Sequence, residues 1–194
     1  MKKTFWAAAW MTSVLAGLSA LAYAYYFIVA RDATMYSLFL LLTGLLSIKP
    51  LVALYSRLKE VEENFALIAL ILGIAGALGT AVHGGYDLAN AINIPIGVNP
   101  SLPSQIDPRG LLAFGVMGIA ILKISWLMSH HKDFAKGLPM LGYLSGILLV
   151  VIYLMRLTVL NPADPRLLYP VLLEGFIVNP LWYIWLGFEF RKRA

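Results

Sequence analysis

Six stretches of mostly apolar residues, each long enough to cross a bilayer as an α-helix, make up most of this 194-residue chain. A helix needs about 20 such residues to span the hydrocarbon layer. The predicted spans are, in chain order, 5–30, 33–56, 64–94, 110–129, 137–160 and 168–190. Little of the chain is left outside them. The sequence therefore predicts an all-α, polytopic membrane protein with six transmembrane helices in a single membrane domain and no soluble domain.

The composition excludes the main soluble classes. Hydrophobic residues make up 60% of the chain and charged residues 13%, against about 45–50% and about 25% in ordinary soluble domains. Such a chain is neither a soluble globular enzyme nor a disordered segment. It has no cysteine, so it holds no disulfide framework, thiolate metal site or thiol nucleophile.

The distribution of basic residues predicts the orientation in the membrane. Even-numbered crossings return the chain to the side of its N-terminus, and that side would hold nine lysines and arginines against three on the other. Those nine are Lys2, Lys3, Arg57, Lys59, Lys132, Lys136, Arg191, Lys192 and Arg193; the three are Arg31, Arg109 and Arg166. By the positive-inside rule both termini are expected in the cytoplasm and the protein in the inner (plasma) membrane.

The same bias accounts for the net charge of +5 without nucleic-acid binding. The N-terminus resembles a secretory signal, with small residues around Tyr23 as a cleavage site, but its apolar run continues to Ala30. We therefore expect an uncleaved first helix.

The two longer connections opposite the termini end in the same triplet. Asp107-Pro108-Arg109 closes a proline-rich segment, 94–109, which is expected to be extended and stiff. Asp164-Pro165-Arg166 closes the shorter one. An aspartate followed by proline is typical of a helix start, because the carboxylate caps free N–H groups and proline fits the first helical position. Helix capping is the preferred interpretation of both triplets.

One face of the third span carries small residues at one end and polar residues at the other. Its members alternate at spacings of three and four: Ala66, Ala69, Gly73, Gly76, Thr80, His83, Asp87 and Asn90. Small residues allow a neighbouring helix to approach closely, whereas an aspartate facing lipid at mid-membrane costs about 3 kcal/mol. The face is therefore predicted to point into the bundle.

Two later spans offer ionisable groups at a similar depth. At a rise of 1.5 Å per residue, His83 lies about 16 Å and Asp87 about 10 Å from the outer end of the third span, and Glu174 about 9 Å from that of the sixth. Arg156 lies near the outer end of the fifth span, and Asn179 precedes Pro180, which should distort the sixth helix. These depths predict one outward-facing polar pocket, formed by His83, Asp87, Asn90, Arg156 and Glu174.

Ionisable residues within a membrane are functional-site hypotheses by default. The preferred interpretation of the pocket is binding or transport of a small molecule, an ion or a proton. A structural network that fixes helix register is the main alternative, and it fits a non-catalytic accessory or assembly subunit of a larger membrane complex. An intramembrane enzyme acting on a lipid or isoprenoid is a further alternative, although the chain carries no known catalytic motif. Partners are expected to be the lipid bilayer and either further copies of the chain or other subunits.

The sequence says less about cofactors and about further residues of the site. His83 precedes two glycines that leave room for a flat macrocycle, so a haem or chlorophyll-type pigment is an alternative ligand. A metal site would need His83, Asp87 and Glu174 together, and none is predicted with preference. Thr80 and Asn179 are secondary site candidates. Lys49 and Lys123 are expected to extend towards the cytoplasmic surface or to bind an anionic headgroup there.

Overall fold

The computed structural model describes residues 3–93, 106–159, 161 and 163–194. Over these residues the chain is helical and contains no strand. Six helices are long and apolar enough to cross a membrane, as predicted. They are α1 (Lys3–Ala30), α2 (Ala33–Leu58), α3 (Glu63–Ile92), α4 (Pro108–Ser129), α5 (Gly137–Thr158) and α6 (Pro165–Arg191). Most of the proline-rich segment expected to be extended, 94–105, lies outside the described residues.

Acidic side chains set the starts of three helices. Asp32 accepts a hydrogen bond from the backbone N–H of Met35 at the start of α2, and Glu62 accepts from Asn64 at the start of α3. Asp164 accepts from the backbone N–H of Arg166 at 2.9 Å, which confirms the predicted cap. Because this cap lies directly before Pro165, α6 begins there rather than at Leu168.

The six helices form a closed ring in chain order. Each packs against the next, and α6 returns to α1. The end of the ring that holds both chain termini is called the terminal end, and the opposite end is called the loop end. Glycine permits a close contact between α2 and α3. A methyl group at Gly44 would lie 2.5 Å from the carbonyl oxygen of Ala77, a distance too short for a side-chain carbon.

The hydrophobic core is concentrated towards the terminal end. Its large buried members there include Trp6, Leu54, Leu58, Met128, Phe134 and Phe190. A second, small cluster near the loop end contains Ile152, Val159 and Leu167. Apolar packing therefore holds the terminal end together, whereas the loop end has less of it.

The backbone is also irregular towards the loop end. Three π-helical segments of the described chain lie there: Tyr26–Ala30 at the end of α1, Leu111–Val116 near the start of α4 and Glu174–Val178 within α6. Arg31 and Arg109, at the ends of two of these helices, adopt left-handed backbone angles with φ of 54° and 59°. π-Helical turns are frequent at functional sites, and the loop end contains all three of these segments.

Candidate functional site

The polar half of α3 points into the bundle at the loop end. His83 is 6% exposed, and Thr80 one turn below it is also buried. His83 Nε2 lies 3.3 Å from Oδ2 of Asp87, one helical turn further on. The prediction that this face of α3 is directed inwards is confirmed for its members from Ala66 to His83, which are all buried. Asp87 and Asn90 are half-buried at its rim.

The second nitrogen of His83 faces another carboxylate that the sequence interpretation assigned only to capping. His83 Nδ1 lies 3.5 Å from Oδ2 of Asp107. Asp107 is only 1% exposed although it lies in a connection between helices. We call His83, Asp87 and Asp107 the His83 cluster.

Asp107 caps α4 as predicted, but by way of a short 3₁₀ turn. Its Oδ1 accepts from the backbone N–H of Leu112 at 2.8 Å, and its Oδ2 accepts from that of Ala113 at 3.1 Å. The turn Pro108–Gly110 carries the left-handed Arg109 and folds the chain back over the helix start. The Asp-Pro-Arg triplet signals this cap in the sequence, but nothing in the triplet indicates which helix the carboxylate also faces.

These contacts determine the charge state of Asp107. Burial alone raises the pKa of its carboxyl, but hydrogen bonds with His83, Leu112 and Ala113 lower it by more, so the pKa lies below its ordinary value. Asp107 is therefore a stable anion next to the imidazole at neutral pH.

Arg156 lies beside the cluster without joining it through an ion pair. Its guanidinium lies 5.1 Å from the ring centre of Phe114 and against Gly110, at the start of α4. It is near enough to act electrostatically on His83. Among the described residues it forms no ion pair with Asp87 or Glu174, the partners that a purely structural network would have given it.

The structure places the remaining polar residues of α3 around the cluster without direct bonds to it. Thr80 donates to the carbonyl oxygen of Gly76 at 2.9 Å, within its own helix. Asn90 lies almost one turn beyond Asp87, half-buried at the loop end. Neither forms a hydrogen bond with His83 among the described residues.

Glu174 is buried elsewhere in the bundle. Its Oε1 accepts from Ser145 Oγ at 2.6 Å and from Asn179 Nδ2 at 3.2 Å. The bond from Ser145 joins α5 to α6, the bond from Asn179 lies within α6, and neither involves His83. Equal depth in two helices therefore did not bring Glu174 and His83 into contact, because they face different neighbours.

Lys49 and Lys123 lie on aromatic rings towards the terminal end. Lys49 Nζ is 4.6 Å from the ring centre of Phe5, and Lys123 Nζ is 4.0 Å from that of Phe65. Both are half-buried. Cation–π contact supports a charged ammonium in partly apolar surroundings, and it places both lysines far from the His83 cluster.

The His83 cluster places one imidazole between two carboxylates, an arrangement in which the imidazole can hold one proton or two. A neutral imidazole has one N–H and can donate to only one carboxylate, whereas an imidazolium donates to two. The proton count of His83 therefore decides whether Asp87 and Asp107 can both accept a hydrogen bond from the imidazole. Among the described residues, His83, Asp87 and Glu174 do not come together as three ligands for a metal ion.

Comparison of the chain with protein-family models, with curated proteins and with solved structures gives no match.

Proposed function

We propose that this chain is a multi-pass plasma-membrane protein that binds and exchanges a proton at the His83 cluster. The observation that carries the proposal is the position of one imidazole between two carboxylates, at 3.3 Å and 3.5 Å, inside a bundle of apolar helices. Histidine is the side chain whose ordinary titration lies nearest physiological pH, and buried ionisable groups in membranes mark proton and ion pathways.

The proton on His83 connects two helices. Asp87 lies on α3 with His83 itself, whereas Asp107 holds the start of α4 through two backbone hydrogen bonds. Loss of one proton leaves one of these carboxylates without its imidazole donor. If that carboxylate is Asp107, the tie between α3 and the start of α4 weakens, so proton release is coupled to the packing of these helices.

The cluster is proposed to exchange protons with the side of the membrane opposite the cytoplasm. The excess of Lys and Arg at the terminal end supports cytoplasmic termini, and the His83 cluster lies at the other end. A green fluorescent protein fused after Ala194 should therefore fluoresce and an alkaline phosphatase fused there should be inactive. The reverse result would overturn the orientation.

Nitrogen NMR of the imidazole tests the proposal directly. The chain has three histidines, so a His130→Gln/His131→Gln double variant, labelled with ¹⁵N-histidine in lipid nanodiscs, reports on His83 alone. Its two ring nitrogens should change between neutral and cationic shifts within the pH range in which the protein stays folded. Asp87→Asn and Asp107→Asn should each move the midpoint.

Lys123→Gln serves as the control, because it removes a half-buried charge far from the cluster and should leave the midpoint in place. A constant protonation state of His83 over the whole pH range, unchanged in both aspartate variants, would show that the cluster is a structural network.

A further inference from the structure

Three buried polar atoms between α4, α5 and α6 have no hydrogen-bond partner among the described residues. They are Ser125 Oγ, Trp182 Nε1 and Glu174 Oε2. Ser125 and Trp182 are completely buried, and Glu174 is 4% exposed. Native proteins rarely leave such atoms unpaired unless an ordered water, an ion or a proton accounts for them.

Gly142 on α5 brings two of these atoms together. A methyl group placed there would lie 2.7 Å from Trp182 Nε1 and would also collide with Ser125 Oγ. Ser145, which donates to Glu174, follows on the same helix about 4.5 Å along the axis. The three unpaired atoms therefore lie along one stretch of α5. We call Ser125, Ser145, Glu174, Asn179 and Trp182 the Glu174 site.

The carboxyl group of Glu174 is satisfied on one side only. Oε1 accepts two hydrogen bonds, from Ser145 and Asn179, while Oε2 has none. The π-helical turn allows Asn179 to reach the carboxyl group of Glu174. In a regular α-helix, residues five apart point about 140° away from each other. Here the backbone N–H of Asn179 bonds to the carbonyl oxygen of Glu174 instead. That bond brings the Asn179 side chain round to the Glu174 carboxyl.

Among the described residues, no cation balances a charge on Glu174. None of the ion pairs within the described part of the chain includes it. Among the titratable groups on the helices packed against this turn, Tyr183 of α6 lies near enough to sense its charge. Tyr23 of α1 and Arg156 of α5 interact with each other and with the His83 cluster instead. A bare carboxylate would be costly in these surroundings.

We propose that Glu174 is a second proton-binding site, which carries its proton on Oε2 and hands it to a water molecule held by Trp182 and Ser125 beside Gly142. The water accepts from the indole N–H and from the Oε2–H of the acid, and it donates to Ser125 Oγ. On exchange the Oε2–H bond breaks and a new O–H bond forms on the water, which becomes hydronium and carries the proton away when it leaves the site. The charge left on the carboxylate is then held by the donors Ser145 and Asn179. The site shares no residue with the His83 cluster, so it stands whether or not that cluster exchanges protons.

Infrared spectroscopy of the full-length protein in lipid nanodiscs tests the assignment. A protonated carboxylic acid gives a C=O stretching band separate from those of carboxylates and amides. At neutral pH the wild-type protein should show one such band that shifts on ¹³C-glutamate labelling and not on ¹³C-aspartate labelling. The label identifies a glutamic acid even if a variant fails to fold.

Two glutamate variants form a matched pair. Glu174→Gln should abolish the band, whereas Glu189→Gln, which removes the equally buried glutamate that is paired with Lys192 at 2.8 Å, should retain it. Absence of a glutamate-sensitive band in the wild-type protein, or its persistence in Glu174→Gln, would overturn the proposal.

The water is tested by Ser125→Ala, which removes its acceptor. The acid band should move in frequency, because the hydrogen bonding of the Oε2–H changes, and its exchange with D₂O should slow severalfold. Leu144→Ala, on the exposed side of α5, is the control. An unchanged band and exchange rate in Ser125→Ala would remove the water from the site.

Discussion

The two ends of the bundle use similar charged groups in opposite ways. At the terminal end, Asp133 is 51% exposed and pairs with Arg57 at 3.6 Å and with Arg193. At the loop end, Asp107 is 1% exposed and lies against His83. The first aspartate ties a surface loop to the C-terminus over a large apolar core. The second is part of the packing between α3 and α4, where the apolar core is small, so the same residue type has different consequences when it is lost.

The largest expected difference in stability is between variants of the two aspartates. Asp107→Asn keeps one acceptor oxygen but replaces the other with an NH₂ group, so the Ala113 N–H and the imidazole of His83 face a donor; the free energy of unfolding should fall by about 3 kcal/mol. Asp133→Asn breaks exposed contacts and should cost less than about 1 kcal/mol. Equilibrium unfolding in mixed micelles measures both. Equal losses would mean that the loop end is no more dependent on its buried charges than the terminal end.

A pair of adjacent glycines tests the packing next to the cluster. A methyl group at Gly84 would lie 2.8 Å from the carbonyl oxygen of Ser37, whereas the nearest atom to one at Gly85 is 3.9 Å away. Gly84→Ala should destabilise the protein by about 2 kcal/mol. Gly85→Ala should stabilise it by up to about 1 kcal/mol, because alanine favours the helix. A similar response in thermal unfolding of both variants would contradict the close approach of α2 and α3.

Acidification should remove the stability that Asp107 supplies at the loop end. The pKa of Asp107 is lower in the folded protein than in the unfolded chain, so the stability that it supplies is present above its ordinary pKa of about 3.9 and is lost as the pH falls through the folded value. Melting temperatures of the wild-type protein should therefore fall below about pH 4. The fall should be smaller in Asp107→Asn, and an identical pH profile would assign the acid sensitivity to other groups.

The smallest effect on stability is expected from an exposed ion pair at the loop end. Arg166 is 72% exposed and contacts Asp164 at 2.8 Å, which holds the pKa of that carboxyl at about 2. Arg166→Gln leaves the cap from Asp164 to the backbone in place, so the melting temperature should not change measurably. A clear fall in the melting temperature of Arg166→Gln would show that charged groups at the loop end stabilise the protein even where they are exposed.

The six helices follow from the sequence because the length of each apolar run is set by the hydrocarbon thickness. The inward face of α3 follows from its spacing, and the cap at Asp164 follows from its triplet. The partners of the polar groups do not follow in the same way. Depth along a helix gives the height of a side chain but not the neighbour that it faces, which is why Glu174 and His83 were expected to lie together.

Asp107 could not be placed in the cluster for a related reason. Its approach to His83 depends on the 3₁₀ turn and on the left-handed Arg109, and arginine is not a residue that signals such a conformation. Only Pro180 indicates the π-helical turn at Glu174 in the sequence. A proline predicts a distorted helix but not the kind of distortion.

The π-helical segment Leu111–Val116 makes the alignment of Asp107 with His83 sensitive to chain length. Deletion of a single codon there would convert the turn to an ordinary α-helix without removing any side chain of the cluster. Everything before it would rotate by about 100° and shift by about 1.5 Å relative to the rest of α4. Asp107 would then leave His83 while every pairwise contact further along α4 stayed intact. A one-residue insertion or deletion in this segment is therefore a way to lose the site that leaves every one of its side chains in the chain.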